Sequence, residues 1–283
     1  MTDPRITPAN SRAALESLRG TIDAAHYTMG EPAQLIQPLT DLLASPGGKR
    51  ERQLLLGDGF TVIDRHESYA FGQATKDGFC GYLPETALGP AETPTHWVAA
   101  PMTTLYPEAN IKIREIGALT LGARVTATTL GARVTATGDA GKFTQTTRGF
   151  VPTLHLKPIG DWHKDPVAIA QTYLGTPYLW GGNSRAGLDC SGLVQACLMS
   201  CGLNCPGDSD LQQTLGKPIS EKAALKRGDL LFWDGHVAMC MNADFMIHAT
   251  AAFMAVVMEN TRSAIKRIIE QGGGPVIARR RVL

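Results

Sequence analysis

The sequence has no run of 18 consecutive apolar residues, which excludes an ordinary membrane-spanning helix. Charge of either sign is not in excess: 27 Lys and Arg stand against 26 Asp and Glu, a formal net charge of +1. That balance removes any electrostatic case for nucleic acid or an anionic membrane as the partner. No Gly-x-x-x-x-Gly-Lys-Ser/Thr is present, so no phosphate cradle is expected. Paired Cys-x-x-Cys clusters are also missing. Cys197, Cys201 and Cys205, at steps of four, therefore read as helix-face core residues rather than metal ligands, and neither a metal nor a cofactor is expected. The opening residues, Met1 to Pro8, lack a basic segment followed by an apolar run. The expectation is a cytoplasmic protein whose six cysteines remain thiols.

What is present is enough for real cores: hydrophobic residues make up 43% and charged residues 19% of 283 positions, a length that allows two or three domains. Ala14, Leu15, Leu18 and Ile22 follow Ser11 at helical spacing, which predicts a short leading helix within residues 1–30. From Gln34 the texture changes to short apolar runs broken by Gly, Pro and Asp: Leu39 to Leu43, Gln53 to Leu56, Phe60 to Ile63, Tyr69 to Gln73 and Cys80 to Leu83. Short strands at such spacing predict a small barrel over 31–90.

Residues 91–157 repeat this grammar. Leu54-x-Leu56-Gly57-x-x-Phe60-Thr61 has its counterpart in Leu119-x-Leu121-Gly122-x-x-Val125-Thr126, and Gly81-Tyr82-Leu83-Pro84 in Gly149-Phe150-Val151-Pro152. Two copies of one β-module are the economical reading. Within the second, Thr120 to Thr128 recurs unchanged as Thr129 to Thr137. A duplication absorbed as a lengthened hairpin or loop explains it.

A linker, Pro158 to Pro166, leads into the third region, 158–283. Its centre is Tyr178-Leu-Trp180-Gly181-Gly182, followed by Asp189-Cys190-Ser191-Gly192-Leu193 and an apolar helical pattern running to about Cys201. A thiol at a helix N-terminus meets unpaired N–H groups and a positive dipole end, which favour the thiolate. Asp189 is placed to cap that helix. Helices are predicted over Val167 to Leu174 and Ser263 to Gln271, strands over Gly228 to Trp233, His236 to Met241 and Phe245 to Ala249, and an edge strand over Val276 to Val282. His236 and His248 are twelve apart across the turn-like Asn242-Ala243-Asp244. In a hairpin of suitable register both face one side. Taken alone, a buried cysteine is an inert small hydrophobe and a strand histidine a satisfied core residue. Cysteine, histidine and histidine in this order supply a nucleophile, a base and a group to orient the base.

Tyr178-x-Trp180-Gly181-Gly182, Asp189-Cys190-Ser191-Gly192-Leu193-Val194, Lys226-Arg227-Gly228-Asp229-Leu230, His236-Val237-Ala238 and His248-Ala249, in this order, resemble the NlpC/P60 cysteine peptidases, and the two upstream modules resemble bacterial SH3 (SH3b) domains. The resemblance implies an α+β papain-like catalytic domain preceded by two small all-β SH3b barrels. In it Cys190 attacks, His236 is the base and His248 orients it. Tyr178 and the Cys190 backbone N–H would hold the oxyanion, with Asp189 as a neighbour of the nucleophile. The implied reaction is hydrolysis of the γ-D-glutamyl–diamino acid bond of peptidoglycan peptides.

Two SH3b-like modules resemble the branch that trims recycled murein peptides carrying a free N-terminal L-alanine. That likeness implies an amine site at Asp208 and Ser209, a pocket at Ser191 and Trp180, and an acidic partner from the first module, matched here by Glu51. The aromatic hydroxyl that accompanies it falls nearest Phe79, with Tyr69 and Tyr82 beside it, a departure from the pattern. Two other readings remain open: an SH3b adaptor with an inactive peptidase domain, and an amide or acyl transferase on the same core.

Overall fold

Short apolar runs punctuated by glycine produce strands and tight turns through most of the first 160 residues. The computed structural model describes residues 2–129 and 142–283. The hairpin or loop expected of the duplicated Thr129 to Thr137 falls almost wholly outside them. The chain divides into two compact units, Met1–Asp161 and Trp162–Leu283.

In the first unit the predicted leading helix does not form. Ala13–Leu15 is a strand paired in parallel with His26–Thr28, and a 3₁₀ turn over Glu16–Leu18 lies between them. The Asn10 side chain accepts the backbone N–H groups of both Arg12 and Ala13 at 2.8 Å, a local turn that competes with helix. Gly20, at φ +83°, ends any continuation. Asn10 and Arg12 then tie the segment down through Asp64.

Seven strands follow: β1 (Glu31–Leu35), β2 (Leu39–Leu43), β3 (Arg50–Leu55), β4 (Gly59–His66), β5 (Tyr69–Ala74), β6 (Cys80–Pro84) and β7 (Leu88–Pro90). They form one sheet in the order β3-β2-β6-β5-β4-β1-β7. Alternation along the strands places Leu35, Leu42, Leu54, Phe60 and Leu83 in a common core. A second core, with Val98, Leu105, Leu119, Val125 and Val151, takes in Leu55, the last residue of β3, and the adjoining Leu56.

The sequence repeat has a structural counterpart. Gly57 and Gly122 both turn the chain at positive φ, +79° and +91°. Gly81 to Pro84 and Gly149 to Pro152 are both strands followed by a 3₁₀ turn and a short strand. The two turns are joined directly, since Arg124 N–H donates to the Leu56 carbonyl at 2.8 Å.

The second unit contains α1 (Pro166–Thr172), α2 (Cys190–Ser200), the single turn α3 (Ser209–Gln212) and α4 (Thr261–Glu270). Its sheet is built from β8 (Lys217–Pro218), β9 (Leu230–Trp233), β10 (His236–Cys240), β11 (Phe245–Thr250), β12 (Ala255–Asn260) and β13 (Ala278–Arg281), in the order β8-β13-β9-β10-β11-β12. Strand β13, expected at an edge, lies inside the sheet between β8 and β9. Arg281 holds it there by a two-pronged pair to Asp229, which is 1% exposed. The Asp229 carboxylate also accepts the Lys226 N–H, so the Lys-Arg-Gly-Asp turn and the C-terminal strand share one anchor.

A side chain at Gly57 would meet the Arg124 backbone, and the residue's φ is already left-handed. Gly57→Ala is therefore expected to cost about 1–3 kcal/mol. In a unit of this size that lowers Tm by about 2–10 °C, readable by calorimetry. An unchanged Tm would contradict the close approach of the two turns.

Candidate active site

Asp189 sets the local geometry of the nucleophile. It is the N-cap of α2, accepting Gly192 N–H at 2.6 Å and the Ser191 hydroxyl at 2.9 Å through Oδ1. Through Oδ2 it accepts Gly181 N–H at 2.8 Å. One buried carboxylate thus joins the glycine-rich loop to the first turn of the helix. The glycines make that approach possible, because a Cβ on Gly192 would strike the Gly182 carbonyl and a Cβ on Gly182 the Gly187 backbone. Gly181 turns at φ +69°.

Cys190, the first residue of α2, is 6% exposed. Its Sγ lies 3.9 Å from the Gly235 carbonyl. The thiolate expected from the helix start is not the resting form. Burial, followed by the neighbouring Asp189 carboxylate, pushes the thiol up to about 12, against the pull of backbone N–H groups of Val237, Ser191 and Cys190 itself. The helix end acts, but desolvation of a buried sulfur is larger.

His236 opens β10 and His248 lies in β11. Met239 pairs with Ile247, so His236 and His248, each an odd number of positions away, share the opposite face. The expected same-side arrangement is realised: His236 Nε2 and His248 Nδ1 are 2.8 Å apart. His248 pairs in register with Val257, which puts Glu259 on the same face. His248 Nε2 lies 2.8 Å from Glu259 Oε2, and Arg267 of α4 grips Glu259 with two bonds, 2.6 and 3.2 Å. Burial, helped by His248 and Arg267, pushes His236 down to about 3. Hydrogen bonding from His248, then from Arg267, holds Glu259 down at about 2 despite its burial. The resting set is a thiol, a neutral His236 and an ionised Glu259.

Tyr178 is pushed up to about 12 by burial and by the proximity of Cys190 and Asp189, so it keeps a proton to donate. Ser191 is buried with its hydroxyl committed to Asp189. Trp180 is 66% exposed. Asp208 is half-buried at the head of α3 and Ser209 is buried. The 0%-exposed Gln212 donates to the carbonyls of Ser191, Pro206 and Gly207, pinning the Asp208–Ser209 loop to the first turn of α2. Glu51 sits on β3 in the other unit, where it lines a cavity of about 340 Å³ with Arg5, Phe71, Phe79 and Tyr82. Phe79, the nearest aromatic in the sequence, is 1% exposed and belongs to the core.

Glu259, Arg267 and Gln212 are not singled out by sequence reasoning. Glu259 lies in β12, a strand absent from the expected set, so its face could not be assigned. Gln212 looks like any polar residue of a short turn.

This arrangement is that of a thiol hydrolase of papain-like design, with nucleophile at a helix start and histidines on the facing sheet. Residues 175–268 match the NlpC/P60 family and residues 42–88 the bacterial dipeptidyl-peptidase SH3 domain. The chain therefore carries an NlpC/P60 domain, of a cysteine peptidase family, preceded by an SH3-type all-β region. It is 29% identical over 241 residues to a γ-D-glutamyl-L-lysine dipeptidyl-peptidase of Bacillus cereus, covering 74% of this chain and 69% of that one. It is 36% identical over 91 residues to dipeptidyl-peptidase 6 of Lysinibacillus sphaericus, covering 31% of this chain and 33% of that one. A crystal structure of an NlpC/P60 family protein from Bacillus cereus shares the fold, with a TM-score of 0.71, 21% identity, and coverage of 89% of this chain and all of that one.

The lowered groups set the direction of the pH dependence. His236 takes a proton near its ordinary 6.5 when unfolded but only near 3 when folded; Glu259 does so near 4.5 and near 2. The unfolded chain binds more protons across these windows, so stability falls as pH drops from 6.5. Urea titrations at pH 7, 5.5 and 4.5 should show a falling midpoint for this unit, with the slope flattened in His236→Gln. A midpoint rising toward acid would contradict the neutral buried His236.

Proposed function

We propose that this protein is a cysteine endopeptidase that hydrolyses the γ-D-glutamyl–diamino acid bond of small murein peptides bearing a free N-terminal L-alanine. The observation that carries the reading is Cys190 at the α2 start, its Sγ beside the carbonyl of Gly235 next to His236, together with the His236–His248–Glu259 series on one sheet face. The relatives named as dipeptidyl-peptidases, one aligning over 74% of the chain, support the substrate class.

In the mechanism His236 takes the thiol proton of Cys190 as Sγ bonds to the γ-carbonyl carbon of D-glutamate. The oxygen that gains charge is met by the Cys190 backbone N–H and the protonated Tyr178 hydroxyl, each donor contributing about 3 kcal/mol. His236 returns the proton to the departing amine of the diamino acid, and the C–N bond breaks to leave a thioester. Water, deprotonated by His236, attacks the thioester and regenerates the thiol. His248 keeps the His236 ring in plane throughout.

Asp208 is assigned to the substrate ammonium group: a carboxylate is the matching partner, and Gln212 holds its loop against the nucleophile helix. Glu51 is a second acidic candidate, since it lines a cavity in its own unit. Trp180 is assigned to the pocket wall, and recycled peptides in the cytoplasm are the setting that suits such a substrate.

Incubation with L-Ala-γ-D-Glu-diamino acid peptides should release L-Ala-D-Glu, seen by mass spectrometry. Cys190→Ala should lower kcat by about 10⁴-fold or more. Binding without hydrolysis by the wild type would instead indicate an adaptor, and transfer of the dipeptide to an added amine a transferase. N-acetylation of the substrate should cost about 100-fold or more in kcat/KM, and Asp208→Asn should remove most of the discrimination. Equal turnover of blocked and free peptides would sink the amine assignment.

A further inference from the structure

Glu259 touches neither Cys190 nor His236 in the structure, yet it ends a chain of contacts that leads to both. Its Oε2 lies 2.8 Å from His248 Nε2, and His248 Nδ1 lies 2.8 Å from His236 Nε2. Arg267 donates to both Glu259 oxygens, through Nη2 to Oε2 and Nε to Oε1, and a further bond runs from its Nη1 to Gln271.

Proton bookkeeping along this chain has one solution when both imidazoles are neutral. An ionised carboxylate only accepts, so the His248 nitrogen facing it must carry the proton. The other nitrogen of His248 then has a lone pair, and the His236 nitrogen facing it must be the donor. His236 is left with its proton on Nε2 and a lone pair on Nδ1. Sγ of Cys190 lies against the backbone on both sides of that histidine, near the Gly235 carbonyl and the Val237 N–H. Nδ1 is therefore the nitrogen available to the thiol.

We propose that Glu259, clamped by Arg267, is a positioning residue that sets the tautomers of His248 and His236 so that His236 presents an unprotonated Nδ1 to Cys190. Arg267 has a distinct part. By engaging both oxygens it fixes the carboxylate plane and keeps the group ionised beside a buried histidine. This inference rests on the peptidase reading for its kinetic consequence, whereas the tautomer assignment follows from the contacts for two neutral imidazoles beside an ionised carboxylate.

Glu259→Leu tests the assignment. It removes the Oε2 acceptor that His248 Nε2 and Arg267 Nη2 share, and leaves the guanidinium, which only donates, as the polar group beside His248. A donor there requires a lone pair on His248 Nε2, so the proton moves to Nδ1, and His236 must accept at Nε2 and carry its own proton on Nδ1. The base then faces the thiol with the wrong form. In Glu259→Gln the amide oxygen at the Oε2 position accepts both bonds and keeps the wild-type tautomers.

Long-range proton–nitrogen correlation spectra of the ¹⁵N-labelled full-length protein near neutral pH should show Nε2–H for both histidines in the wild type. In Glu259→Leu both should be Nδ1–H, while Glu259→Gln keeps the wild-type pattern. Peptide hydrolysis by Glu259→Leu should fall about 10²- to 10⁴-fold in kcat with KM little changed. Activity in Glu259→Gln should be largely retained. Wild-type His248 protonated on Nδ1, or identical tautomers in wild type and Glu259→Leu, would overturn the proposal. If the wild type shows the stated tautomers and the Leu variant inverts them, yet no murein peptide is cleaved, the substrate reading fails and the positioning role stands.

Discussion

The Asp189 carboxylate is the interaction on which the catalytic unit depends. It accepts from Gly181, Ser191 and Gly192 within 3 Å, and each such bond to a buried charge contributes about 1.5–3 kcal/mol. Gly192 packs against the Gly182 carbonyl in this arrangement, and neither position has room for a side chain. The loop, the helix start and the placement of Cys190 are therefore one structural decision. The same carboxylate raises the pKa of the thiol beside it. Positioning the nucleophile thus works against its ionisation, and the site relies on a neutral base to take the proton when substrate arrives.

That base is held neutral by the same logic of burial. His236 is enclosed, stands next to another histidine and feels Arg267, all of which disfavour its cation. Glu259 opposes them. The result is a polar series, thiol to imidazole to imidazole to carboxylate to guanidinium, with one charged pair at its far end. Placing the ion pair at the end farthest from the thiol spares the reacting groups a permanent charge while still fixing ring orientation. Gln212 plays a comparable part on the other flank, tying the loop of Asp208 and Ser209 to the α2 turn.

Much of this was legible in the residues. The glycine-rich loop before Asp189-Cys190 marked a cysteine at a helix start, and the even separation of His236 and His248 matched a hairpin face. Local competition defeated the expected leading helix, where Asn10 binds the backbone that a helix would use. The edge position expected of the last strand failed because the Arg281–Asp229 pair, spanning 52 positions, has no local signal. Glu259 was hidden for a similar reason: Ala255-Val-Val-Met-Glu-Asn260 has no clean alternation, so neither its strand nor its facing could be read.

The sequence by itself determined the order and identity of the chemical parts: a cysteine at an Asp-capped helix start after a glycine-rich loop, two histidines at an even spacing, and an all-β region upstream of them. Those depend on near neighbours, whose geometry follows from backbone sterics and strand periodicity. Only the tertiary structure decided the ionisation of the parts and what stands behind them. Burial sets whether Cys190 rests as thiol or thiolate, and strand register brings Glu259 and Arg267 to the second histidine. Both are sums over residues distant in the chain.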